Sequence, residues 1–186
     1  MSDFNLTHNF LIAMPAIQEG YFAGSLIYVC EHNDNGALGI VVNRPISLTL
    51  SELFGQINIP LHQARLEKTP VHFGGPVQTE RGFVLHDTVG NWESTLRIND
   101  KLALTTSKDI LEAMGVGRGP RNIIVTLGYA GWDQGQLEHE ITENAWLTVS
   151  ASEHILFDLP AEERLAAAMG LLGVDYASLV EEAGHA

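Results

Sequence analysis

A single cysteine, Cys30, stands in the 186 residues. One thiol excludes a disulfide framework, and no C-x-x-C pair exists to build a zinc ribbon. Positive charge is also scarce: ten Lys and Arg oppose 23 Asp and Glu, a net charge of −13. No Lys or Arg precedes Arg44, so the N-terminus lacks the cationic start of a secretory signal. The apolar run Phe10-Leu-Ile-Ala-Met-Pro-Ala-Ile17 is broken by Pro15. It is far shorter than the ~20 residues that span a bilayer, and reads as an edge or core strand. Internal repeats, low-complexity segments and Gly/Ser- or Pro-rich linkers are missing too. Together these absences predict a soluble, reduced, cytoplasmic chain with no membrane segment, folded as one domain over 1–186.

The charge that is present is unevenly placed. Residues 1–132 carry 9 basic and 12 acidic side chains; 133–186 carry 1 basic residue, Arg164, and 11 acidic ones. Nucleic-acid binders draw affinity from cations that displace counterions, so direct DNA binding is disfavoured. The acidic third reads either as a solubilising face or as a docking surface for a basic partner.

Local patterns place the elements. Gly24-Ser-Leu-Ile-Tyr-Val-Cys30 and Ala37-Leu-Gly-Ile-Val-Val-Asn43 read as strands joined through Asn35-Gly36 into an antiparallel hairpin. A helix is expected over 50–56, capped by Thr49 or Ser51, then an exposed connection over 57–70. Strands are expected at 71–73, 82–86, 96–98 and 102–105, and a helix at 107–114 with Gly115 at the position after its end. Asn122-Ile-Ile-Val-Thr-Leu127 suits a central strand running into a turn, Gly128-Tyr-Ala-Gly-Trp132. Asp133 then reads as a helix N-cap with Gln136 completing a capping box. A strand at 146–149, a helix from Pro160 to Gly173 with Leu165, Ala168, Met169 and Leu172 on one side, and a last helix over 175–182 complete the chain. This irregular interleaving excludes a doubly wound fold and predicts α+β with a mixed sheet.

Chemistry-bearing residues are few. Cys30 and His32, two apart on an extended strand, would face one side, and an imidazole can activate a thiolate. The alternative is a small buried hydrophobe. His139-Glu-Ile-Thr-Glu143 lacks the second His of a zincin helix, and reads as a solvated acidic face. His32, His72 and His86 are free to converge from neighbouring strands, but their spacing demands no metal, and none is expected. Gly115-Val-Gly-Arg-Gly-Pro120 follows a helix and enters a strand, the reverse of a dinucleotide fingerprint. Walker A and G-x-S-x-G sequences are absent, and no cofactor is expected. Gly74 and Gly75 offer either close backbone approach to a ligand or a tight corner.

Four segments in order, Gly24-Ser-Leu-Ile-Tyr-Val-Cys-Glu-His32, Gly36-Ala-Leu-Gly-Ile-Val-Val-Asn-Arg-Pro45, His72-Phe-Gly-Gly-Pro-Val77 and Leu127-Gly-Tyr-Ala-Gly-Trp132 with Gln136-Leu-Glu138, resemble the AlgH/YqgE family of small bacterial proteins. The resemblance covers nearly the whole chain. It implies a single α+β domain whose bifurcated sheet folds toward a pseudo-barrel with helices around it, including a C-terminal helical segment near 160–183. The family carries a transcriptional-regulator label that rests on no DNA-binding motif, and it brings no catalytic residues to transfer. Cys30 and His32 stand as candidates for catalysis, and Asn43, Arg44, His72, Gly74 and Gly75 as a candidate ligand surface. The reading is a non-enzymatic binding or regulatory protein acting through an unknown protein or small molecule. The alternatives are a thiol-dependent enzyme or redox-responsive protein using Cys30 and His32, and direct DNA regulation through a cluster of Arg44, Arg81, Arg118 and Arg121.

Overall fold

Strand alternation organises the molecule. The computed structural model describes residues 4–14 and 22–173. Its main sheet is antiparallel. Strand β1 (Asn9–Ala13) lies between β10 (Trp146–Ser150) and β2 (Leu26–Asn33). From β2 the order continues through β3 (Gly36–Val41), β9 (Ile123–Asp133), β6 (Val77–Asp87), β8 (Leu102–Thr105) and β7 (Thr95–Arg97). The sheet forks at β9: β3 pairs with residues 130–133, and β5 (Pro70–Phe73) runs parallel to Thr126 and Leu127. β4 (Pro45–Thr49) pairs with β5. This is the expected α+β single domain with a bifurcated sheet.

Successive side chains on a strand point to opposite faces, and the two faces fill different cores. Phe10, Ile12, Leu26, Tyr28, Ile40, Leu85, Leu104 and Ile124 meet on the inner side of the curled sheet. That half-barrel is closed by a π-helical turn (His154–Asp158) and α5 (Ala161–Leu172), which bring Ile155, Leu156, Ala168 and Met169. Leu11, Ile27, Val29 and Val41 point the other way, toward α4 (Gln136–Thr142) with Leu137 and two tryptophans. The helices α1 (Leu50–Gln56), α2 (Ala64–Glu67) and α3 (Lys108–Gly115) cover Val71, Val84 and Val125 as a third core.

Several local expectations hold: α1 has the Thr49 cap, with Glu52 closing the box, and α5 ends at Gly173 in the left-handed region. Others are corrected. The hairpin turn is Asp34-Asn35, with Asn33 paired to Gly36, so Glu31 and His32 lie in the strand. The connection 57–70 carries α2 and buries Ile59 and Leu66. Gly115 is the last residue of α3, where a Cβ would strike the Pro60 carbonyl, and Gly117 takes the left-handed conformation. The expected turn at 128–132 is strand, since β9 runs on to Asp133. α4 begins after Gly135, not Asp133; the Gln136 side chain still accepts from the Asp133 N–H at 2.9 Å. The helix expected over 175–182 lies outside the described residues.

Candidate functional site

The expected Cys30–His32 pair is not assembled. A β-bulge shifts the β2–β3 register between Val29 and Glu31, and two residues then oppose one on the partner strand. Cys30 is enclosed in the half-barrel core, its Sγ 3.8 Å from the Tyr28 carbonyl, and burial pushes its thiol pKa far up. His32 instead meets the N-terminal segment and α4. Its Nδ1 accepts the Leu6 N–H at 2.9 Å, which leaves the proton on Nε2, 3.2 Å from Glu138 Oε1.

The remaining candidates divide between structure and cavity. Asn43 ties the base of the hairpin: its Oδ1 accepts the Leu26 N–H at 2.8 Å and its Nδ2 donates to Gly24 at 3.0 Å. Arg44 lies over the Phe73 ring at 5.6 Å. The Gly74-Gly75 corner is already occupied by the chain's own backbone. A Cβ on Gly74 would overlap the Gly128 carbonyl, and one on Gly75 the Tyr129 backbone. The absent side chains let the connection from β5 to β6 pass against β9. The three histidines do not converge: His86 Nδ1 donates to the Asp87 carbonyl and its Nε2 accepts from Thr105 Oγ1 at 2.7 Å. Among the described residues no group of three or more His, Cys, Asp or Glu is placed to hold a metal ion.

His72 leads to a site the sequence reading missed. It is 4% exposed on β5, and its Nε2 lies 3.5 Å from Arg164 Nη1. Its Nδ1, beside the Val125 backbone, makes no full hydrogen bond. Burial, then the neighbouring guanidinium, pulls its pKa down to about 4, so the ring is neutral at pH 7. Arg164, 8% exposed, donates through Nε to the Leu159 carbonyl at 3.1 Å and through Nη1 to the Val42 carbonyl at 2.6 Å. Burial lowers its pKa to about 10, which still leaves it a cation. Both side chains line a cavity of about 240 Å³ between β4, β5, β9 and the start of α5. The signal was available: 161, 164, 168 and 169 lie on one face of α5 and are buried, and an arginine on that stripe belongs inside.

A second, larger concavity of about 360 Å³ lies between α1, α3 and the sheet. Half-buried Leu53, Ile57, Leu111 and Leu127 line it, and exposed Glu80, Arg81 and Lys108 add charge. Arg81 is oriented by Gln78 Oε1 and Thr106 Oγ1 at 3.3 and 3.2 Å.

Comparison with known proteins agrees with this architecture. The AlgH-like family model matches residues 10–177. A UPF0301 protein of Nitrosospira multiformis is 58% identical over all of both chains, and one of Thiobacillus denitrificans is 59% identical, also over all of both. The solution structure of the AlgH protein from Pseudomonas aeruginosa superposes with a TM-score of 0.81 at 48% identity, covering 96% of this chain and 95% of that one. A Corynebacterium diphtheriae protein shares the fold at 18% identity, with a TM-score of 0.70 over 91% of this chain and 88% of that one. By sequence across its length and by the path of its sheet, the chain belongs to the AlgH-like family.

Proposed function

We propose that this chain is a non-enzymatic binding protein with a regulatory role exerted through a bound small molecule. The observation that carries the reading is the groove between α1, α3 and the sheet, apolar in its walls and edged by Arg81 and Lys108 against the single carboxylate of Glu80, a net positive rim. Ligand sites combine apolar walls with a few polar groups that set orientation, and these two cations select a small apolar molecule with a carboxylate end. The residues that would run thiol chemistry support the same view. Cys30 is sealed among core side chains, where a thiolate is costly and a substrate has no access. We infer a cytoplasmic setting from the unpaired thiol; among the described residues no helix is long and apolar enough to cross a membrane.

Calorimetry with decanoate, and with decanol as the uncharged control, tests the proposal. Saturable decanoate binding that weakens in an Arg81→Gln, Lys108→Gln variant supports it. No binding to the groove, or turnover of a substrate panel that disappears on Cys30→Ala, overturns it.

A further inference from the structure

Arg164 sits at the wrong end of its helix. Folded back to the Leu159 carbonyl, its guanidinium lies at the N-terminus of the 12-residue helix α5, where the aligned peptide dipoles already present positive potential. A cation there is disfavoured, and a buried cation without a counter-charge more so. Yet among the described residues Arg164 makes no ion pair; its partners are two carbonyls and a neutral histidine. The helix start adds no side-chain cap, because its N-cap is Pro160; the Glu163 N–H bonds the Pro160 carbonyl at 3.0 Å, which leaves Ala161 and Glu162 as the orphan donors of the first turn. His72, 4% exposed, lines the cavity beside Arg164, Thr69 and Ala161, with its Nδ1 at the Val125 backbone, where it makes no full hydrogen bond. One opposing charge is present: the exposed Glu162 carboxylate, at the cavity edge. It offsets the field without reaching the guanidinium.

We propose that this cavity is an anion-binding site for a compact phosphate-class oxyanion, held by Arg164 and the amides of Ala161 and Glu162 at the start of α5, with the His72 ring against it. Helix N-termini and arginine both suit phosphate oxygens. The cavity volume, about 240 Å³, admits a free phosphate or the phosphoryl end of a small ester. The site is separate from the groove between α1 and α3, so either assignment stands if the other fails. Bound phosphate neutralises the local charge, and His72 becomes easier to protonate.

The test is titration of the ¹⁵N-labelled full chain with inorganic phosphate and with phenyl phosphate, at neutral pH and constant ionic strength. Saturable shifts in the amides of Ala161 and Glu162, with an upward move of the His72 titration, support the site. Tighter binding of one probe tells a free ion from a phosphorylated small molecule. Arg164→Gln is expected to weaken binding about tenfold or more, the loss of one charge-assisted contact. Where that variant fails to fold, Glu162→Gln gives the reading instead, since removing the competing carboxylate tightens binding about threefold. Non-saturating shifts, equal affinity in folded Arg164→Gln, no tightening in Glu162→Gln, or acetate binding as well as phosphate each overturn the proposal.

Discussion

At the residue scale, the interior holds more polar chemistry than the composition suggests. Glu140 Oε1 accepts the indole N–H of both Trp132 and Trp146, at 3.0 and 2.8 Å, while Oε2 accepts from Gln136 at 2.9 Å. One carboxylate therefore satisfies two nearly buried indoles. Glu140→Ala strands both, at about 1.5 kcal/mol for each charge-assisted bond, so urea denaturation should show a loss near 3 kcal/mol. Glu140→Gln keeps an acceptor and loses less. Wild-type stability in Glu140→Ala would show that water replaces the carboxylate. His72 sets a pH dependence. Its folded pKa, about 4, lies below the unfolded value of 6.5, so between these values the unfolded chain binds more protons. Stability is then complete above pH 6.5 and falls as pH drops toward 4, by up to roughly 3 kcal/mol from this residue. His72→Gln, which keeps an acceptor near Arg164, should flatten that window; an unchanged slope would assign the acid sensitivity to other groups.

The same scale shows why the candidate site was only half legible. His72 stands out in the sequence through a family-like motif. Arg164 does not, because a lone arginine in a segment that carries 11 acidic residues reads as surface charge. Its helical phase carries the information: Ala161, Ala168 and Met169 are buried on one side of α5, and Arg164 lies with them.

At the element scale, signals confined to a few neighbours were readable and those requiring a distant strand were not. The capping box of α1 needs only Thr49 and Glu52. Thr49→Ala should cost about 1 kcal/mol, measurable as a shift of the urea midpoint with unchanged slope. The bulge that separates Cys30 from His32 comes from pairing with Gly39 and Leu38, which no spacing rule within β2 records. The fork at β9 is similar. Gly128 and Gly75 both take positive φ; a Cβ on Gly128 would strike the Gly75 carbonyl, and one on Gly75 the Tyr129 backbone. Gly128→Ala meets the Gly75 backbone rather than a yielding side chain, so the loss should reach about 3 kcal/mol or prevent folding. Gly135→Ala is the comparison: the same left-handed φ with open space around it, and a loss of about 1 kcal/mol. Equal losses in the two variants would mean that φ alone, not the crossing of the fork, decides the cost.

At the scale of the whole molecule, the pairing of β1 with β10 joins residues 9–13 to 146–150, and α5 reaches back across the chain to the Val42 carbonyl. The half-barrel therefore has no closed inner surface until α5 is in place. Leu156, Ala168 and Met169 are packed against Phe10, Tyr28 and Leu85, strands that are distant in sequence and form slowly because their loops must close first. A chain ending at Leu159 keeps every strand of the described residues and loses both α5 and the arginine beside His72. Its sheet can still pair, but the inner face is open to water, and burial of apolar surface is what offsets ordering of the backbone. Such a chain should retain strand signal in far-ultraviolet circular dichroism, lose its near-ultraviolet signal, bind a hydrophobic dye and aggregate, as a loosely packed state does. It also sheds Glu162 and Glu163 with the rest of the acidic end, so the control is the full-length chain carrying Met169→Ala. That variant keeps the acidic residues while opening a cavity in the same core, at about 2–4 kcal/mol. Dye binding in the truncated chain without a stability loss in Met169→Ala would trace the aggregation to lost charge rather than to the opened barrel.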